Sequence, residues 1–229
     1  MTQKDSLKPL QKLNTVHKRK EVAWDIRSAV RGENAAQAIG DIYEGCEIFG
    51  FTKGQFCIIN ILEHLLNQIG TADVVICTWS AASGDIRAAH RMLNLKKISS
   101  LKFIVDYSFK SRKPHFCDEL VKTFGGDSIR VTSIHAKFIT VKNNDYHIVI
   151  RTSMNLNYNP RFENFEISDH IGLYNFMTKI VDEIWKTQED YAGIKNRPQD
   201  NKNDFMKSFP CETKVDTLND LMRFNTEEL

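Results

Sequence analysis

His135 and Lys137 stand two apart in "SIHAKFITV", and Ser153 and Asn155 stand two apart in "RTSMNLN". Side chains of an extended chain alternate with period two, so each pair shares one side. With the two stretches as neighbouring strands of a hairpin, an imidazole, an ammonium, a hydroxyl and an amide converge on one point. That set suits a phosphate: charge from Lys137, neutral donors from Ser153 and Asn155, and a nucleophile or proton donor from His135. Polar groups at the rim of an apolar run also need partners, because burying either alone is unfavourable.

The surrounding pattern supplies elements that could hold such a point. "CEIFGF" reads as a short strand and "GQFCIINILEHLLNQIG" as a helix ended by Gly70, with Asn60, Glu63, His64, Asn67 and Gln68 on one wet face. His64 on that face reads as a surface histidine. "ADVVICTW" is a continuous apolar run suited to a central strand, and "SGDIRAAHRML" a helix with Ser83 as its N-cap. The alternation continues with strand "LKFIVDYS", helix "HFCDELVKTFGG" and strand "SIRVTSI". Strand and helix at these intervals predict an α/β fold, with right-handed crossovers and helices on both faces of the sheet. "HAKFITV", "YHIVIRTS" and "FEISDHIGLY" then follow with little room for helices, so they should pair as hairpin neighbours with "KNND" as the first turn. The expected sheet is therefore mixed and mainly parallel. "NFMTKIVDEIWKTQEDY" closes it as an amphipathic helix.

Three segments are expected: a basic N-terminal helical extension over residues 1–45, a main domain over 46–191, and a linker with a short helical tail over 192–229. Val22, Ile26, Ala29 and Val30 lie at helical spacing, and residues 1–33 carry eight Lys and Arg against four Asp and Glu. The 229 residues, 41% hydrophobic, suffice for one substantial core, and the net charge of +2 does not by itself announce a polyanion binder. Five cysteines without a CxxC pair fit a reducing compartment. No apolar leader and no run of about 20 apolar residues is present, so the expectation is a cytoplasmic protein without membrane contact.

"HAKFITV" followed by "IRTSMNLNYNPRFENFEI" resembles the HxK(x4)D(x6)GSxN signature of the phospholipase D superfamily, in particular its single-motif, Nuc-like endonuclease branch. The resemblance covers roughly residues 46–190. Lys142 stands at the family's Asp position, with Asp145 three further on, and Thr152 stands for the Gly of GSxN. What the resemblance implies is a metal-independent phosphodiesterase with no cofactor, in which His135 attacks phosphorus and a second copy of the motif protonates the leaving group. No other histidine is followed at two residues by lysine, so a homodimer with a shared site is expected. The family's downstream acid, which orients the histidine, maps onto Glu166, with Glu163 as runner-up. Asn164 could line the pocket and Arg161 could neutralise a flanking phosphate. Nucleic acid, DNA ahead of RNA, is the expected partner, with Lys18, Arg19, Lys20, Arg112 and Lys113 as backbone contacts. The alternatives are a catalytically weak or silent nucleic-acid-binding module and a phospholipase.

Overall fold

The computed structural model describes residues 24–28 and 34–188. Its centre is an eight-stranded sheet in the order β1-β2-β8-β7-β6-β3-β4-β5. The strands are β1 (Asp25–Ser28), β2 (Glu47–Thr52), β3 (Ala72–Thr78), β4 (Ile98–Asp106), β5 (Ile129–Thr132), β6 (Phe138–Lys142), β7 (His147–Thr152) and β8 (Glu163–Asp169). The pairings make β6 and β8 run against the other six, so the sheet is mixed with one dominant direction. The hairpin expectation holds, since β6, β7 and β8 are antiparallel neighbours. Their first turn is fastened by Asn143, whose Oδ1 accepts from the amides of Asp145 and Tyr146.

The helices are α1 (Ala35–Ile39), α2 (Ile58–Ile69), α3 (Ser83–Asn94), α4 (Phe109–Arg112), α5 (Pro114–Phe124) and α6 (Ile171–Thr187). They cover both faces of the sheet. On one face Ile48, Ile76, Phe103, Ile139, Ile150 and Phe165 meet the buried stripes of α2, α3 and α5. On the other, Cys77, Ile104, Phe138 and Val149 meet Leu173, Met177, Val181 and Ile184 of α6. That division follows the period-two alternation along each strand. Truncating one fully buried ring such as Phe165, which packs edge-on at 5.7 Å from Phe56, removes about 3–5 kcal/mol.

Two expectations are corrected. The stretch expected to be helical around Ile26 contains β1, which pairs in parallel with β2 and sets Ile26 beside Phe49. An edge of β2 with unpaired backbone groups outweighs a weak helical periodicity. α1 also packs into the larger core, through Ala35, Ala38 and Ile39. Ser83 is not the cap of α3: Ala82 holds that position, and the Ser83 hydroxyl instead bonds Glu119. Lys18, Arg19, Lys20 and the tail over 192–229 lie outside the described residues.

Candidate phosphate site at the strand ends

β3, β4 and β5 end at Thr78, Asp106 and Thr132, and at the same edge β6 and β8 begin while β7 and β2 end. The crevice outside the carboxyl ends of parallel strands is where open α/β sheets gather ligand-binding groups. His135 and Lys137 lie there, though in the extended lead-in to β6 and not within the strand. Their proximity is nevertheless direct. Lys137 Nζ is 3.1 Å from His135 Nδ1 and 3.4 Å from Nε2. Near-equal distances place the ammonium over the ring, because in the ring plane it would collide with the carbon between the two nitrogens. Burial pulls the Lys137 ammonium below its ordinary value, with Glu163 and Cys77 acting the other way.

The segment carrying His135 is fixed from behind by Asp106, a buried carboxylate at the end of β4. It accepts from the Ile134 amide at 3.1 Å and from the amide and hydroxyl of Ser108. From the side, the Trp79 indole packs 5.5 Å from the His135 ring. Arg112 lies flat on that indole, 3.4 Å from its centroid, and donates to the Trp79 carbonyl at 3.0 Å and the Ser108 hydroxyl at 2.9 Å. The result is a row in which the guanidinium covers the indole and the indole, tilted 58° to the imidazole, limits where the histidine can sit. Sequence reasoning named Arg112 only as a backbone contact and passed over Trp79 and Asp106. The strand-end rule was the signal for both, since each sits at the carboxyl end of a parallel strand.

Ser153 and Asn155 lie just past β7 in a segment sewn to the residues after β3. The Leu156 amide lies 3.0 Å from Thr78 Oγ1, and the Ala82 amide donates to Leu156 O at 2.9 Å. Met154 and Leu156 fill the core, so Ser153 and Asn155 face the other way. Asn155 Oδ1 is buried with no hydrogen-bond partner among the described residues. Exchanging its oxygen and nitrogen would point an amide donor into the same space. The halves of the site meet through the Thr152 amide, which donates to the Lys137 carbonyl at 3.2 Å.

The two acids take different partners. Ser153 donates to Glu163, and Asn159 Nδ2 donates to the same carboxylate at 3.3 Å. Glu166 is drawn elsewhere: Arg151, opposite it on β7, pairs with it at 2.8 Å. Burial pushes the Glu166 carboxyl above its ordinary value while Arg151 opposes that shift. The acid tied to Ser153 is thus the runner-up, Glu163. The single hydroxyl proton of Ser153 is committed to that carboxylate, while its oxygen accepts from the Asn164 amide at 3.1 Å. Asn164 therefore contributes through its backbone, and Arg161 is exposed in the loop, its amide bonded to Asn159 O at 2.8 Å.

The two departures from the motif also acquire positions. Lys142 ends β6 beside Asp73, five residues and about 16 Å along the strand from Lys137. Thr152 donates from Oγ1 to the Asn164 carbonyl at 2.6 Å and accepts from the Met154 amide at 3.0 Å, joining β7 to β8 where a glycine could not. The loop over residues 153–162 is further braced at Gly54, whose φ is +87° and whose Cβ, if it had one, would lie 2.5 Å from Pro160 Cα.

No family model matches the sequence. No curated protein matches it either. Among solved structures, the chain is similar to NucT from Helicobacter pylori, with a TM-score of 0.46 and 12% identity over 63% of this chain and 99% of that one. It is also similar to phosphatidylserine synthase from Haemophilus influenzae, at 0.44 and 18%, covering 63% of this chain and 39% of that one. Polyphosphate kinase from Porphyromonas gingivalis matches at 0.43 and 10%, over 65% of this chain and 27% of that one. Likeness at this level leaves the chemistry to be argued from the chain's own side chains.

Proposed function

We propose that this chain is a metal-independent phosphodiesterase acting on nucleic acid, an endonuclease of phospholipase D type, with DNA ahead of RNA as substrate. The observation that carries the reading is the exposed imidazole of His135 with Lys137 Nζ 3.1 Å away, at the strand-end edge of the sheet. A neutral imidazole nitrogen attacks phosphorus, the P–N bond forms, and the P–O bond to the leaving oxygen breaks in line. The leaving oxygen takes its proton from His135 of the partner subunit, so the working species is a homodimer with both copies at one site. Water then attacks the phosphohistidine, giving up its proton to that second imidazole, and the P–N bond breaks. Lys137 and the Asn155 amide stabilise the charge that builds on the equatorial oxygens. Glu163 holds Ser153 in place at the rim. Asp106, Trp79 and Arg112 hold the histidine.

The silent-module alternative would follow from Lys142 and Thr152 standing where the motif has Asp and Gly. Lys142 ends the strand far from His135, and Thr152 adds hydrogen bonds at the site's edge, so neither substitution removes a group from the proposed chemistry.

Incubation with labelled DNA and RNA in EDTA tests the proposal. Cleavage should persist, should vanish in His135→Ala, and should pass through an acid-labile, alkali-stable adduct that depends on His135. Cleavage that EDTA abolishes, or that survives intact in His135→Ala, would sink the mechanism.

A further inference from the structure

Phe162 and Tyr158 expose 63% and 62% of their surface on the loop that joins β7 to β8. Single exposed rings are ordinary, but two large rings exposed on one loop form a candidate contact surface. Phe162 directly precedes Glu163, the acid bonded to Ser153. Its ring is also held in place. It stacks on Phe51 at 4.9 Å and 22°, and Phe51 packs edge-on against Phe49 at 5.2 Å. The backbone beneath is braced by the close approach of Gly54 to Pro160 and by the Arg161 amide on Asn159 O. One face of a fixed aromatic ring is thus covered and much of the rest meets solvent.

The charges nearby narrow the class of ligand. Lys53, in the turn after β2, and Arg161, beside Phe162, are both exposed. The acid of the segment, Glu163, is engaged by Ser153 and Asn159. Fixed rings set among cations, with the acid already committed, match a strand of nucleotides whose phosphates track the cations and whose bases stack on the rings.

We infer that Phe162, with Tyr158 on the same loop, is a base-stacking subsite for the nucleotide flanking the phosphate bound at His135, so that the substrate is unpaired where it is cut. The inference rests on the phosphodiesterase reading. A base within a duplex is already stacked on its neighbours and cannot lie on Phe162 without leaving them.

The test is equilibrium binding of the full chain carrying His135→Ala, to prevent turnover, to three fluorescein-labelled probes of equal length: an oligothymidylate, an abasic oligomer and a duplex. Adding Phe162→Ala should weaken the oligothymidylate roughly 5- to 150-fold, the equivalent of about 1–3 kcal/mol for one stacked base. It should leave the abasic oligomer unchanged, and Phe162→Trp should restore binding. Equal losses on the oligothymidylate and abasic probes, or a duplex bound as tightly as the single strand, would overturn the subsite. A change in sedimentation on Phe162→Ala would assign the ring to contact between copies instead. The underlying reading fails separately, if the chain with native His135 cleaves none of these probes while the stacking preference persists.

Discussion

Glu163 opens β8, and Glu166 lies three residues deeper in the same strand. The first is met by neutral donors, Ser153 and Asn159, at the mouth of the site. The second is met by a cation, Arg151, within the sheet. A separation of three puts the two side chains on opposite faces, because the strand's period is two. Identical carboxylates thus acquire different tasks from register alone. Glu163 can orient a group at the rim, while Glu166 offsets the charge of an arginine that would otherwise have no acid opposite it.

The contrast breaks most readily in turnover. Glu163→Gln should lower kcat on a labelled oligonucleotide by about 10²-fold, the cost of misplacing a group at the site, with the melting temperature nearly unchanged. Glu166→Gln should leave kcat within a few fold, because Glu166 is paired with Arg151 within the sheet and bonds none of the groups at the rim. Equal losses in the two variants would erase the distinction. Thr152→Val probes how firmly the start of β8 is placed. It leaves the Met154 amide without its acceptor and should cost about 1–3 kcal/mol, read as a lower urea midpoint at unchanged slope.

The smallest effect is a pH dependence. Burial raises the Glu166 carboxyl above its ordinary 4.5, so in the window above that value the folded chain binds this proton more readily than the unfolded chain does. The contribution of Glu166 to stability therefore improves as pH falls through its folded value towards 4.5. Glu166→Gln should flatten that part of a melting-temperature profile, and an unchanged profile would mean that Arg151 cancels the burial.

Much of this frame was legible beforehand. Apolar runs such as "ADVVICTW" announce central strands because both their faces are covered, and three closely spaced runs force antiparallel neighbours. His135, Lys137, Ser153 and Asn155 were legible as residues that belong together, and the structure sets all four at one edge of the sheet. Which of Glu163 and Glu166 would bond Ser153 was not, because a motif gives order along the chain and says nothing about the face on which a strand begins. Trp79, Arg112 and Asp106 were hidden for a related reason: the contacts Trp79 to His135, Arg112 to Trp79 and Asp106 to Ile134 span 56, 33 and 28 residues, and no local pattern carries such a span. β1 was misread because its partner edge is set by tertiary pairing and leaves little trace in four residues.

The missing side chain at Gly54 has an evolutionary reading. The turn over 52–55 fastens itself, with Gly54 N and Gln55 Oε1 both on the Thr52 hydroxyl, and it leaves room for the Pro160 backbone only because position 54 is bare. The turn and the Phe162 loop therefore form one interlocking piece, while His135 and Lys137 belong to another, the segment between β5 and β6 at the same edge of the sheet. On the proposed function, changes in what is gripped can accumulate in one piece, and changes in how it is cut in the other, provided that position 54 never gains so much as a methyl group.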